Sequence, residues 1–212
     1  MQDEETGSWW QQVTGEAIQG PLKGSKLKQV NHDEIAFGLW KRENPQGRVL
    51  RPDPKIEARG QYSANWEAEV AAFPVTTSVP PDQRLPPREL VLGVKVNNAA
   101  KAYPFTALQK QSPIADTIGG VPVLIVLDAD GQSVRAFERQ VEGKTLEFYA
   151  KTGALPLRLN DAETGSEWDF TGAAMSGSMQ GKQLKKLYVL KDFWFDWYAY
   201  NRETLVYTLG KR

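Results

Sequence analysis

Asp116, Arg135 and Glu163 are the residues of this chain whose types could support a reaction. Asp116 stands beside Thr117, just ahead of Gly119-Gly120, where a carboxylate buried in a cleft could act as a general base. Arg135 and Arg139 alternate with apolar neighbours and could pair with Asp116 or Glu138. Glu163 has a counterpart in Glu5, and Trp168 one in Trp10; paired carboxylates at the right separation serve glycosidases, and exposed Trp stacks on sugars. Each has a plainer explanation: an Asx turn that organises the glycine corner, a structural ion pair, and a turn leading to a Trp packed in the core. Asp128-x-Asp130-Gly131 could open a calcium loop, but the acidic residue expected about nine positions after Asp130 is Arg139. A solvated hairpin turn is the alternative there.

Composition removes several other chemistries. The 212 residues contain no Cys and one His, His32. Disulfides, thiolate nucleophiles, Cys-ligated metals and multi-His sites are therefore out. No metal site and no cofactor are expected. Lys plus Arg equals Asp plus Glu at 26 each, so no electrostatic case exists for nucleic acid or an anionic membrane. The basic clusters at 23–28 and 182–186 suit solvated faces. No apolar run reaches the roughly 18 residues of a membrane span, and the start is acidic rather than signal-like. Cytoplasmic residence is one option; an extracytoplasmic one would need a targeting segment upstream.

The chain contains an internal repeat. Glu5-Thr6-Gly7-Ser8 and Trp10 return as Glu163-Thr164-Gly165-Ser166 and Trp168. Gly15, Gly20 and Gly24 then match Gly172, Gly177 and Gly181, and Trp40 and Asn44 match Trp197 and Asn201. So many Gly and Trp in step indicate duplication. A feature present in both copies is architecture, which places Glu5, Glu163, Trp10 and Trp168 with the scaffold. The repeat also bears on Ser25-x-x-Lys28, Ser63-Ala64-Asn65 and Lys151-Thr152-Gly153, which match in order the signatures of penicillin-binding proteins and serine β-lactamases. Ser25 aligns with Lys182 and Lys28 with Lys185, so the first signature falls in a variable turn.

The elements that must position these residues are mostly strands. Residues 90–96 and 99–103 flank Asn97-Asn98, a good two-residue turn because Asn tolerates positive φ. Residues 121–127 form a continuous apolar run, the mark of a strand buried on both faces. Asp130-Gly131 and Glu142-Gly143 are further turns, and Leu155, Leu157 and Leu159 alternate as one strand face. Successive tight turns imply an antiparallel meander. One helix closes each copy, over 33–43 and 192–201, with Asp at the start and Asn44 or Asn201 at a left-handed exit. Seven of the thirteen prolines lie in 51–89, a linker with one short helix over 62–73.

Three segments carry a family resemblance: Leu92-Gly93-Val94 with Ala102-Tyr103-Pro104, Asp116-Thr117-Ile118-Gly119-Gly120, and Glu163-Thr164-Gly165-Ser166 with its Thr-Gly-x-Ala continuation. With the helix at 192–201 they resemble the bacterial and archaeal family catalogued as domain of unknown function 3179, over nearly the whole chain. The resemblance implies two tandem copies, each with a His before the Asp-Thr-Ile-Gly-Gly segment and a Cys-Pro-x-Cys element after the next strand, suited to metal or redox chemistry. Here residues 108–112 contain no His, and Asp128-Ala129-Asp130-Gly131 stands where the Cys element would be. A complete first copy would need roughly 70 to 90 residues ahead of Glu5, so the chain resembles a truncated two-copy member.

The fold expected is α+β and β-rich, an antiparallel meander or barrel-like unit. Residues 1–50 are the C-terminal half of a first copy, 51–89 a linker and 90–212 a complete second copy. Pseudo-twofold contacts between 5–50 and 163–207 would follow. The function expected is a non-catalytic binding or structural module. The alternatives are a carboxylate-dependent hydrolase or small-ligand enzyme centred on Asp116 and Arg135, and a half-protein completed by a partner chain.

Overall fold

The computed structural model describes residues 1–51, 53–57, 63, 65–77 and 79–210. It divides into two compact units, Met1–His32 and Asp33–Arg212. In the first, β1 (Trp9–Trp10) and β2 (Ala17–Gln19) form a small antiparallel hairpin. Gly20 follows it at φ +98, and a Cβ there would stand 2.7 Å from the Ser8 backbone. Only glycine meets both demands.

The second unit begins with three short helices: α1 (Phe37–Glu43), α2 (Pro54–Glu57) and α3 (Trp66–Ala72). Tyr62 and Ala64 of the expected linker helix, and Pro52, lie outside the described residues. The meander then runs through β3 (Leu90–Val96), β4 (Ala99–Pro104), the single turn α4 (Phe105–Leu108), β5 (Ile114–Ile118), β6 (Val121–Leu127) and β7 (Val134–Glu138). After the hairpin β8 (Gln140–Val141) and β9 (Lys144–Thr145) come β10 (Phe148–Ala150), β11 (Arg158–Asp161), β12 (Glu167–Asp169) and β13 (Ala174–Ser176). The chain closes with β14 (Lys185–Lys186), β15 (Val189–Phe193), α5 (Trp194–Tyr200) and β16 (Leu205–Val206).

Three four-stranded sheets result, in the orders β15-β3-β4-β16, β14-β7-β6-β5 and β10-β11-β12-β13. Among the described residues pairing is antiparallel except for β16 beside β4. The α+β, β-rich character is as expected, but no described sheet closes into a barrel. Instead the sheets stack. The middle sheet buries Val123, Ile125 and Ile114 with Leu92 and Tyr103 of the first sheet. Its other face buries Leu124, Val126 and Phe137 with Leu159 and Trp168 of the third. Helix α5 covers the outer face of the first sheet through Trp194 and Trp197, packed with Val91 and Ala102. Strand β6 is thus buried on both faces, which explains its unbroken apolar run. Gly93 allows α5 to approach: a Cβ there would fall 2.2 Å from the Trp197 ring.

Local details refine the expectations. Asn97 and Asn98 both have positive φ, 48° and 66°, as the two-residue turn requires. Helices α1 and α5 start later than expected. Asp33 lies ahead of α1 with its carboxylate on Arg135 and Lys186, and Asp192 is still in β15, so neither acidic residue caps a helix. Asn44 and Asn201 do end the helices, but at φ −125 and −132 rather than left-handed. Each amide Nδ2 instead donates back to a carbonyl, of Trp40 or Trp197, at 3.0 Å. Leu155 and Leu157 precede β11 rather than lying in it; Pro156 between them has no N–H to give a ladder.

Candidate functional site

Asp116 is held by the motif that surrounds it. Tyr103 of β4 donates its hydroxyl to Asp116 Oδ2 at 2.8 Å, and Lys101 Nζ lies 2.6 Å from the same oxygen. The Thr117 N–H donates to Oδ1 at 2.7 Å. Lys101 also stands over the rings of Tyr103 and Tyr207, which stack on each other. Burial pushes the Asp116 carboxyl up, but the hydrogen bonds from Lys101, Thr117 and Tyr103 prevail and hold it below the ordinary range. Burial first, and Asp116 second, push the Tyr103 hydroxyl well above its usual range. A carboxylate so stabilised is a weak base. The two segments carrying Tyr103 and Asp116 therefore meet in one hydrogen bond that ties β4 to β5.

Arg135 is elsewhere. In register, Asp116 faces Val123 on β6 and Val123 faces Glu138 on β7. Arg135 is an odd number of residues from Glu138, so it points to the opposite face. There its guanidinium bonds Glu43 with both terminal nitrogens at 2.7 Å and Asp33 at 2.9 Å. The Phe170 ring lies 4.7 Å away. Lys186 adds a second cation to Asp33 at 2.8 Å. Burial raises the Asp33 carboxyl, but hydrogen bonds from Arg135 and Lys186 outweigh it and leave it low. The expected pairing of Arg135 with Asp116 or Glu138 is thus replaced by one with Asp33 and Glu43, because the strand pleat turns Arg135 away. Arg139 pairs with Glu147 and donates to the Leu146 carbonyl. Glu138 takes Lys185 at 2.7 Å.

Glu163 is an exposed turn residue whose Oε2 accepts the Glu147 N–H at 2.8 Å. Asp116, Arg135 and Glu163 share no cleft. The turn around Glu163 is instead built on Asp161. Its carboxylate accepts from the Thr164 N–H at 2.6 Å, the Thr164 hydroxyl at 2.8 Å and Trp168 Nε1 at 2.9 Å. Ser166 Oγ bonds Thr164 Oγ1 at 2.8 Å and accepts the Met179 N–H at 3.1 Å. In the first unit Asp3, Thr6, Trp10, Ser8 and Leu22 make the same set, at 2.6, 2.8, 2.8, 2.7 and 3.1 Å. Gly177 stands against Ser166 as Gly20 does against Ser8, and Gly7 and Gly165 both have positive φ, as do Gly15 and Gly172. Asp3 and Asp161 are the residues the motif reading missed. They sit two places ahead of Glu5 and Glu163, so the signal was present in the repeat itself. Glu5 is likewise exposed.

The remaining sequence candidates scatter. Ser25 lies in a loop, not at a helix start, and Lys151 pairs with Glu167 at 2.5 Å. Gly119 and Gly120 turn β5 into β6 at positive φ, where a Cβ on Gly119 would meet the Val96 carbonyl. His32 is exposed. Asp192 is pushed up to about 7 by burial and by the neighbouring Asp196 charge.

A cleft of about 600 Å³ opens between the end of α1, the β6–β7 turn, the loop into β11 and the β12–β13 turn. Its walls are apolar at Leu39, Leu155, Leu157 and Phe170, and charged at Arg42, Asp128, Asp130, Arg158 and Asp169. Asp130 spends its carboxylate on its own turn, accepting from the Gln132 and Ser133 N–H groups and the Ser133 hydroxyl. A calcium loop is therefore not formed from it. Asp128, expected to be solvated, is 7% exposed. No group of three His, Cys, Asp or Glu that could hold a metal occurs among the described residues, and no helix among them is long and apolar enough to cross a membrane.

Neither curated proteins nor solved structures yield a match to this chain. A family model does match, over residues 1–204, which takes in the hydrogen-bonded Tyr103 and Asp116, the Gly93 contact under α5 and both Thr-Gly-Ser turns. The chain belongs to the family described as Protein of unknown function (DUF3179).

Proposed function

We propose that the chain is a non-catalytic binding module and that its ligand site is the cleft bounded by α1 and the β6–β7 turn. The observation that carries this is the engagement of the reactive candidates. Asp116, Arg135 and Glu163 each bond to internal partners, in three different places. A hydrolase centred on Asp116 and Arg135 would need both groups to face one substrate, and they lie on opposite faces of one sheet. The cleft, by contrast, is concave, lined by apolar side chains and furnished with a few charged groups, the usual make-up of a small-ligand site.

Residues 1–50 and 163–207 are, in the same proposal, two copies of one structural element, with 51–89 a linker and 90–212 a complete second copy. The matched hydrogen bonds of the Asp3 and Asp161 turns support this. So do the matched exits of α1 and α5.

Screening a small-molecule library by thermal shift, while following each compound for turnover, tests the binding proposal. Compounds that raise Tm and are recovered unchanged are expected. Turnover of an ester, amide or glycoside that Asp116→Asn abolishes would overturn it.

A further inference from the structure

Four carboxylates line the cleft, and three have donors. Glu43 takes the bidentate Arg135. Asp130 takes three donors from its turn. Asp169 accepts from the Thr171 N–H at 2.8 Å, the Thr171 hydroxyl at 2.6 Å and the Ala173 N–H at 3.1 Å. Asp128 differs. It is more than nine-tenths buried and lines the cleft, yet its carboxylate meets no hydrogen-bond donor or cation among the described residues. The backbone of Asp128 is satisfied: its N–H donates to Ser133 at 2.8 Å and its carbonyl accepts from Gly131 at 3.0 Å. The side chain is therefore held in place by its turn while its charge stays unanswered. Its oxygens still reach solvent in the cleft, and there, beside apolar walls that screen charge less than bulk water does, a ligand that brings a positive charge gains an ion pair.

We infer that the cleft recognises a small organic cation, an ammonium or guanidinium on a short apolar body, with Asp128 as its anchoring carboxylate. This deepens the proposed binding function and rests on it. The apolar body is matched by Leu39, Leu157 and Phe170 on the walls and by Leu155 at the rim, where it is 82% exposed. Arg42 and Arg158 lie on the same cleft, so a second positive charge on the ligand is disfavoured and a monocation is preferred. A bare metal ion would want several converging oxygen ligands. The other three carboxylates here are already committed to donors, whereas one uncommitted carboxylate beside apolar walls suits an ammonium.

Amide-resolved NMR titration of the full chain with n-butylammonium, n-butyrate and n-butanol, at low salt and pH 7, tests this. The expected result is movement of the amides of 128–131, 155, 157, 158 and 169–171 with butylammonium, at least tenfold weaker in Asp128→Asn and unchanged in Glu163→Gln. Asp128→Asn keeps the shape of the side chain, and its spectrum shows directly whether the fold is retained. If it is not, Asp128→Ser is titrated in its place. Equal or tighter binding of butyrate or butanol in the cleft overturns the cation inference and leaves the binding module standing. Undiminished butylammonium binding in the Asp128 variant also overturns it, as does a calcium ion that occupies the cleft more tightly than the amine. No movement of any cleft amide with any of the probes counts against the inference and the binding module together.

Discussion

The twin turns offer a controlled experiment, because the same indole-to-carboxylate bond occurs once in the core and once near solvent. In the second unit Trp168 is fully buried and Asp161 is 2% exposed. Trp168→Phe removes the donor at 2.9 Å from Asp161 and leaves the carboxylate with only Thr164 to satisfy it. Hydrogen bonds to charged groups contribute about 1.5–3 kcal/mol. The smaller ring leaves roughly 40 Å³ unfilled, which at the usual cavity cost adds about 1 kcal/mol. The expected loss is about 2.5–4 kcal/mol, or about 5–16 °C in Tm for a domain of this size. Trp10→Phe breaks the equivalent bond to Asp3 at 2.8 Å, but water can replace the donor there, so Tm should scarcely move. A different signal should appear instead. The Asp3 carboxyl is lowered to about 2, chiefly by the Trp10 indole, and should return toward its ordinary range in NMR titration of Trp10→Phe. Thermal and urea unfolding followed by circular dichroism give the first comparison. A Trp168→Phe shift below about 2 °C, or equal losses from the two substitutions, would refute the argument from burial.

Three further outcomes are expected. Arg135→Met should cost about 3 kcal/mol in urea unfolding, because it strands Glu43; Asp33 keeps Lys186, and both carboxylates are partly exposed, which holds the loss near the lower end for buried pairs. Adding Glu43→Gln should recover part of it, and strictly additive losses would sink the coupling. Gly93→Ala places a methyl inside the Trp197 ring position and should cost about 3 kcal/mol, toward the upper end for overpacking; a neutral result would mean α5 slides away freely. The Asp192 carboxyl is raised to about 7 in the folded chain, so between about pH 4 and pH 7 the native state holds a proton that the unfolded state has released. Stability from this group is therefore present below pH 4 and lost as pH approaches and passes 7. Asp192→Asn, whose Oδ1 can still accept the Phe193 N–H, should flatten that decline, and an unchanged slope in unfolding free energy from pH 4 to 8 would contradict it.

Much of the scaffold is legible in the residues. The doubly buried strand follows from the apolar run 121–127, the hairpin at Asn97-Asn98 from positive-φ tolerance, and the matched turns from Gly and Trp spacing. These are local preferences, and each survives whatever packs around it. The reactive candidates were less legible, because their fate depends on which face of a strand they occupy and on what lies opposite. Asp128 was the least legible. Two acidic residues in a hairpin turn look solvated in one dimension, and nothing nearby in the chain announces that α1 and the loop into β11 will enclose one of them.

The amino-acid sequence alone determined the β-rich α+β character, the family, the paired turns and the exclusion of thiol and multi-His chemistry, since these depend on residue type and short-range spacing. Only the tertiary structure decided that Asp116 and Arg135 face apart, that the sheets stack rather than close, and that Asp128 lines a cleft with its carboxylate uncommitted. Those outcomes arise from sheet register and layer packing, which join residues far apart in the chain, and no local pattern encodes the side chain that will stand opposite another.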